Sequence, residues 1–351
     1  MAVFIRGTGN ISIQNTLGKM GIDEPISYSD PYVHCLEPDY KDYISPIALR
    51  RMSSIIKRAI TSSLFCVKES GIDCPDAIVS GTGLGCIEDT EKFLKAMIDN
   101  KEQFLQPTYF IQSTHNTISS QVALQLKCHS YNNTYSHRGI SFESALMDVF
   151  ILFKTGIIRS ALVGGHDEMT PNYFLQLKKI DFWKNQITNS LEIHKSNTPG
   201  SFAGEGNVCF MLSDIADEKN YAEIADVKML YKVKNEDELL SSVSDFLAES
   251  NLTPGDIDLL MTGVSGDVNT DPTYFNLSNK LFPNSLHAYY KNLCGEFFTA
   301  PAFGLWSAAT CLKNNNVLDI QKLNSVRKEK IKTVLLYNQY KNKNHSLILL
   351  K

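Results

Sequence analysis

A chain of 351 residues is long enough for two packed halves, and its 43% apolar and 21% charged residues suit a soluble globular protein. A formal net charge of −4 without a long basic run argues against nucleic acid or an anionic membrane as partner. Apolar stretches such as VFILF and SLILLK are too short to span a bilayer.

The N-terminal MAVFIRGTGNISI lacks the apolar core of a signal peptide, so residues 2–13 read as a strand and the expected location is the cytoplasm. Residues 47–70 place Met52, Ile55, Ile56, Ala59, Ile60, Leu64 and Val67 at helical spacing, closed by Gly71. DAIVSGTGLG predicts a short buried strand and a glycine-rich turn. Its GTGLG fits neither the GxGxxG nor the GxxxxGK phosphate-binding spacing. CIEDTEKFLKAMIDN and TISSQVALQLK predict two helices. NNTYSHRGISFESAL then leads from a β-like run, through a tight polar corner at Ser136, His137, Arg138 and Gly139, into a helix ended by Gly156.

SALVGG is another buried strand, followed by a loop-rich stretch over about 167–206. From Tyr221 the rhythm restarts. AEIADVKMLYKV, DELLSSVSDFLAES, LTPGDIDLLMTGVSG, PTYFNLSNKLF, PAFGLWSAATCLKN and KTVLLYNQY alternate strand and helix. The whole reads as an α/β protein with largely parallel pairing, in two halves over 1–215 and 216–351. The eight cysteines form no CxxC pair, and the eight histidines form no HxH or HExxH. Buried reduced thiols are expected, with no metal site and no cofactor.

Seven stretches, in order, resemble β-ketoacyl synthases of the thiolase superfamily. They are MAVFIRGTGNIS, IVSGTGLG, TGIIRSALVGGHDE, GSFAGEGNVCFML, LTPGDIDLLMTGVSGDVNTD, KNLCGEFFTAPAFG and NHSLILL. The resemblance implies a thiolase-like fold of two similar halves in five layers, α-β-α-β-α, that dimerises through the N-terminal half. In catalytic members a cysteine thiolate sits at a strand-to-helix elbow, and two histidines and a lysine complete the site.

Carried over by position, the nucleophile falls on Gly139, with Arg138 or His137 just before it. The first histidine falls on Thr262, in TGVSGD. The K-x-x-x-G-H pattern reads KNLCGE, which keeps Lys291 and puts Glu296 at the second histidine. The glycine-rich gate reads QYKNKN and keeps only an aromatic, Tyr340. Glycine cannot hold an acyl group, and a carboxylate at Glu296 would repel a malonyl carboxylate. No catalytic residue is expected, and these positions are vestigial.

The resemblance then implies a chain-length-factor-like subunit, as in the inactive ketosynthase-like proteins of aryl polyene and flexirubin-type pigment clusters. Such a subunit pairs with an active cysteine-containing ketosynthase, shapes the acyl tunnel, and works on an acyl carrier protein. Ser113, Thr114, His115, Asn116, His137 and Glu143 are expected at the substrate tunnel or interface, with STHNT otherwise capping a helix. Arg138 is expected to plug the old pocket against Glu143, Glu296 or Asp148, or else to reach a partner. One alternative is an acyltransferase using Ser136, Ser141 or Cys294, against the reading that Ser141 caps a helix and Cys294 packs. Another is a homodimeric acyl-binding scaffold.

Overall fold

Residues that alternate between two apolar faces build a sheet covered on both sides, and ten such strands run through this computed structural model, which describes residues 2–351. The first five are β1 (Phe4–Ile11), β2 (Ala77–Gly81), β3 (Tyr131–Tyr135), β4 (Ser160–Asp167) and β5 (Gly206–Ser213). The last five are β6 (Ala222–Tyr231), β7 (Leu259–Thr262), β8 (Leu286–Tyr289), β9 (Val334–Tyr340) and β10 (Asn344–Leu350). The first set lies in the order β3-β2-β4-β5-β1, and the second in the order β6-β10-β9-β7-β8. Read from its outer end, the second set repeats the first strand for strand. The sets join where Phe4 and Ile5 meet Glu223 and Ala222.

The pairing is mixed, which corrects the expectation of a largely parallel sheet. β2 is parallel to β3 and β4, and β7 is parallel to β8 and β9. β5 runs antiparallel to β4 and β1, and β10 to β9 and β6. One cause is the turn after β9. Lys341 and Asn342 both take positive φ, the geometry of a tight hairpin, so β10 must return antiparallel.

Helices α1 (Ser54–Ser70), α2 (Ile87–Asp99), α3 (Pro107–Ser113), α4 (Thr117–Leu126) and α5 (Ser141–Lys154) belong to the first half. After α6 (Pro171–Lys178) come α7 (Glu236–Glu249), α8 (Asp271–Leu281) and α9 (Ala300–Asn314). The helix expected over 47–70 is broken: a single turn at Pro46–Leu49 precedes α1.

Side-chain alternation assigns the layers. Ala77 and Val79 face a central core with Leu259 and Met261, whereas Ile78 faces α1 and α4, and Leu260 faces α7 and α8. The central layer is α5 and α9, so the order is α-β-α-β-α. Phe142, Leu146, Val149, Phe150 and Phe153 of α5 are all buried there, each contributing about 1.5–3 kcal/mol. Gly81 sets the height of this helix. A Cβ on it would lie 2.5 Å from the Ser141 carbonyl oxygen and 2.6 Å from the Phe142 Cα, so only glycine lets α5 settle on β2.

Candidate functional site

The corner between β3 and α5 is a strained elbow. A short 3₁₀ turn spans Arg138–Ile140, and Arg138 takes a left-handed φ of 53° that non-glycine residues adopt at a cost. Ser141 staples it. The His137 N–H donates to Ser141 Oγ at 2.8 Å, and Ser141 Oγ donates to the Arg138 carbonyl at 2.7 Å. The hydroxyl is used by the turn before α5, and the N-cap position belongs to Ile140, which corrects the capping expectation for Ser141.

The tip of the elbow is Arg138, one residue before the position carried over for the nucleophile. Gly139 is buried, and any side chain there would collide with the Tyr340 ring. Arg138 is exposed, with its guanidinium carbon 5.9 Å from the centroid of Phe298. The expected plug is not formed: among the described residues Arg138 makes no ion pair. Its three supposed partners are otherwise engaged. Glu296 Oε2 lies 2.6 Å from Lys291 Nζ, Asp148 accepts from the Tyr131 hydroxyl at 3.0 Å, and Glu143 accepts from Ser346.

Lys291 is 3% exposed and Glu296 is half-buried, so this pair is largely withdrawn from water. Burial pushes the Glu296 carboxyl up, and Lys291 pulls it back. The pair lines a cavity of about 220 Å³ with Ser265, Asp267, Thr270 and Tyr340.

Thr262 does not face this cavity. Its hydroxyl donates to the Ala288 carbonyl on β8 at 3.0 Å. The residue that does point at Lys291 is Gly263. A Cβ there would be 3.2 Å from Lys291 Cε and would collide with Asn338 Oδ1 and the Tyr274 hydroxyl. The slot carried over to Thr262 therefore belongs to Gly263. It is filled by Asn338, whose Oδ1 accepts from the hydroxyls of Tyr274 at 3.1 Å and Tyr290 at 3.0 Å.

Tyr340 closes the top. The hairpin after it is fixed by a Lys343 N–H bond to the Tyr340 carbonyl at 3.1 Å, and its ring meets Phe298 edge-on at 5.9 Å. Burial pushes its phenol up to about 12, against the pull of Arg138.

Beneath the elbow lies Glu143, fully buried on α5. Its Oε1 accepts from Ser346 Oγ at 2.9 Å and Asn338 Nδ2 at 3.4 Å, while its Oε2 has no partner among the described residues. Burial pushes the carboxyl up to about 7. Because the folded value exceeds the ordinary value of 4.5, the stabilisation is present below that value and lost as pH rises through about 7. Glu143→Gln should therefore flatten this loss, leaving the variant about 2–3 kcal/mol more stable than the parent above pH ~8 and not below pH ~4.5. Urea titrations at the two pH values check it, and parallel curves would refute the assignment.

The remaining candidates disperse. His137 Nδ1 lies 3.1 Å from Ser144 Oγ, which itself donates to the Ile140 carbonyl, so the His137 imidazole pairs with neither the Ser136 nor the Ser141 hydroxyl. Cys294 is fully buried, its thiol donates to the Gly295 carbonyl, and burial pushes it far up, so it packs and is inert. STHNT links α3 to α4. Ser113 donates to the Phe110 carbonyl, Thr114 and Thr117 share a hydroxyl bond, and Asn116 makes no capping bond. His115 is exposed and packs on Gly85, in the turn whose Gly83 abuts Phe298.

Two buried carboxylates had no signal in the sequence: Asp167 ends β4 and Asp271 opens α8. Asp167 accepts from the N–H groups of Gly83, Leu84 and Thr299 and from the hydroxyls of Thr82 and Thr299. Asp271 accepts from the N–H groups of Ser265 and Gly266. Burial pushes each up to about 6.

One face of the molecule is left bare. β3 ends the sheet, so one of its edges has no strand beside it. β3 packs on α4, which in turn carries α3 and through it α2; α2 buries only Asp89 and α3 buries nothing. Ile98, Phe104, Phe110, Ile111 and Leu124 are all exposed there, Phe104 at 92%.

Residues 32–203 match the β-ketoacyl synthase N-terminal domain family. No curated protein matches the chain in sequence. The ishigamide ketosynthase/chain length factor superposes with a TM-score of 0.83 at 13% identity, covering 99% of this chain and 98% of that one. A ketosynthase in complex with its chain length factor from Xenorhabdus doucetiae gives 0.79 at 13%, covering 99% and 97%. A β-ketoacyl synthase from Burkholderia phymatum gives 0.79 at 14%, covering 100% and 99%. The chain thus has the thiolase-like ketosynthase fold throughout, and over 32–203 its sequence matches the β-ketoacyl synthase N-terminal domain.

Proposed function

We propose that this β-ketoacyl synthase-like chain is a chain-length-factor-like subunit that carries out no condensation of its own. It pairs with a cysteine-containing ketosynthase, shapes the acyl tunnel, and serves acyl chains on an acyl carrier protein in the cytoplasm. The pathway class that fits is a type II system making an aryl polyene, a flexirubin-type pigment or another long acyl chain.

The observation that carries this reading is that the nucleophile and both histidine positions are occupied by groups incompatible with the chemistry. The elbow tip holds Arg138, and the next residue, Gly139, is roofed by Tyr340. The slot facing Lys291 is a glycine filled by Asn338 and Tyr274, and Glu296 is tied to Lys291. The scaffold around these residues is intact. A fold kept without its chemistry, next to a bare apolar face and an open strand edge, is what a partner subunit needs. The division into halves 1–215 and 216–351 is supported by the repeated strand order, with β5 ending at Ser213 and β6 starting at Ala222.

The purified chain, incubated with malonyl- and acyl-loaded carrier protein, should keep its unmodified intact mass. Co-expressed with a cysteine-containing ketosynthase from its own organism, it should copurify as a one-to-one complex. An acyl adduct on the chain alone would contradict the reading, as would a homodimer indifferent to the ketosynthase.

A further inference from the structure

The register of the edge strand, carried back past its first pair, points two cysteines at each other. β2 and β3 pair in parallel with Ala77 opposite Tyr131. Three residues earlier on each chain stand Cys74 and Cys128. Neighbouring strands run about 4.8 Å apart, and a disulfide spans Cα atoms about 4.4–6.8 Å apart, so partners in register are within bonding reach. The side chains agree with the register. Cys128 Sγ donates to the carbonyl of Pro75, the residue after Cys74, at 3.3 Å, and Cys128 is the neighbour that acts most strongly on the Cys74 thiol. Cys74 is exposed, whereas the other seven cysteines are buried.

We propose that Cys74 and Cys128 form a reversible disulfide that pins the start of β3 to the start of β2. The oxidant is a small-molecule disulfide. The Cys74 thiolate attacks it, forms a mixed disulfide and releases one thiol. The Cys128 thiolate then attacks the Cys74 sulfur, forms the internal bond and releases the second thiol. Two protons leave the protein, and the reagent is reduced to two thiols.

Contact with Cys128, followed by burial, holds the Cys74 thiol above its usual range. The exchange therefore speeds up as pH rises, and the pair acts as a slow lock and not a fast sensor. The lock fixes the register of the open strand edge at β3, a segment that an uncrosslinked edge leaves free to slip.

The test uses the full-length chain, glutathione disulfide and non-reducing intact-mass measurement. The oxidised chain should lose the mass of two hydrogens, yield one crosslinked peptide joining Cys74 to Cys128, and melt a few degrees higher. Cys128→Ser should instead hold glutathione as a stable adduct on Cys74, and Cys74→Ser should resist both reactions. A wild-type chain that keeps glutathione on Cys74, stays fully reduced, or crosslinks another pair would overturn the proposal. No ketosynthase takes part in these measurements, so their outcome is separate from that of the functional reading.

Discussion

Asp167→Ala should destabilise the chain by about 3–5 kcal/mol, the largest loss expected from a single side chain in this fold. The carboxylate sits at the end of β4 and receives five hydrogen bonds. Three come from the glycine-rich turn after β2, and two come from Thr299 at the start of α9. It is the knot between the halves at the site. Removing it leaves three backbone N–H groups without an acceptor, each costing about 1–3 kcal/mol when buried, and partial relaxation keeps the sum below the maximum. Asn should recover part of the loss, because its oxygen still accepts while its amide N–H groups face donors. Its folded value of about 6 lies above the ordinary 3.8, so the stability that depends on protonated Asp167 fades as pH rises through about 6, and neither variant shows that component. Urea unfolding followed by circular dichroism measures both effects. A loss below about 1 kcal/mol for the alanine variant would mean that the turn and α9 are held by something else.

Phe104→Asp combined with Phe110→Asp should weaken pairing with a ketosynthase by about 100-fold or more, with folding unaffected. Phe110 on α3 and Phe104 just before it are exposed, and aromatic anchors carry most of the binding energy in protein interfaces. Burying a carboxylate without a partner in an apolar contact adds a penalty to the loss of the ring. Ile180→Asp supplies the control. Ile180 is 67% exposed but lines the cavity at Lys291 and belongs to neither α2, α3 nor the loop between them, so its replacement should leave the affinity unchanged. Sedimentation velocity of the mixed subunits reads the difference. Equal weakening by both changes would place the interface elsewhere.

Much of this was legible in the chain. Periodicity marked the strands and helices, and seven ordered stretches carried the fold. The KNLCGE run foretold that Lys291 would have Glu296 and no histidine beside it. What escaped did so for physical reasons. Thr262 ends β7 and Gly263 follows it in extended chain, where a shift of one residue reverses the side a residue faces, and sequence comparison alone could not choose between them. The partners of Arg138 depended on which carboxylates were already taken, a question settled only by Lys291, Tyr131 and Ser346 in three dimensions. Asn338 and Asp167 are single polar residues in or just after apolar strands and follow no pattern. Strand direction was misjudged because the rhythm of elements does not encode how β5 and β10 return.

Chain extension on an acyl carrier protein, measured with each subunit alone and with the two combined, tests the central claim most directly. The account predicts extended acyl chains from the pair and none from this chain alone, even with Arg138→Cys, because Gly263 and Glu296 still lack the histidines. Extension by this chain without a partner would contradict it.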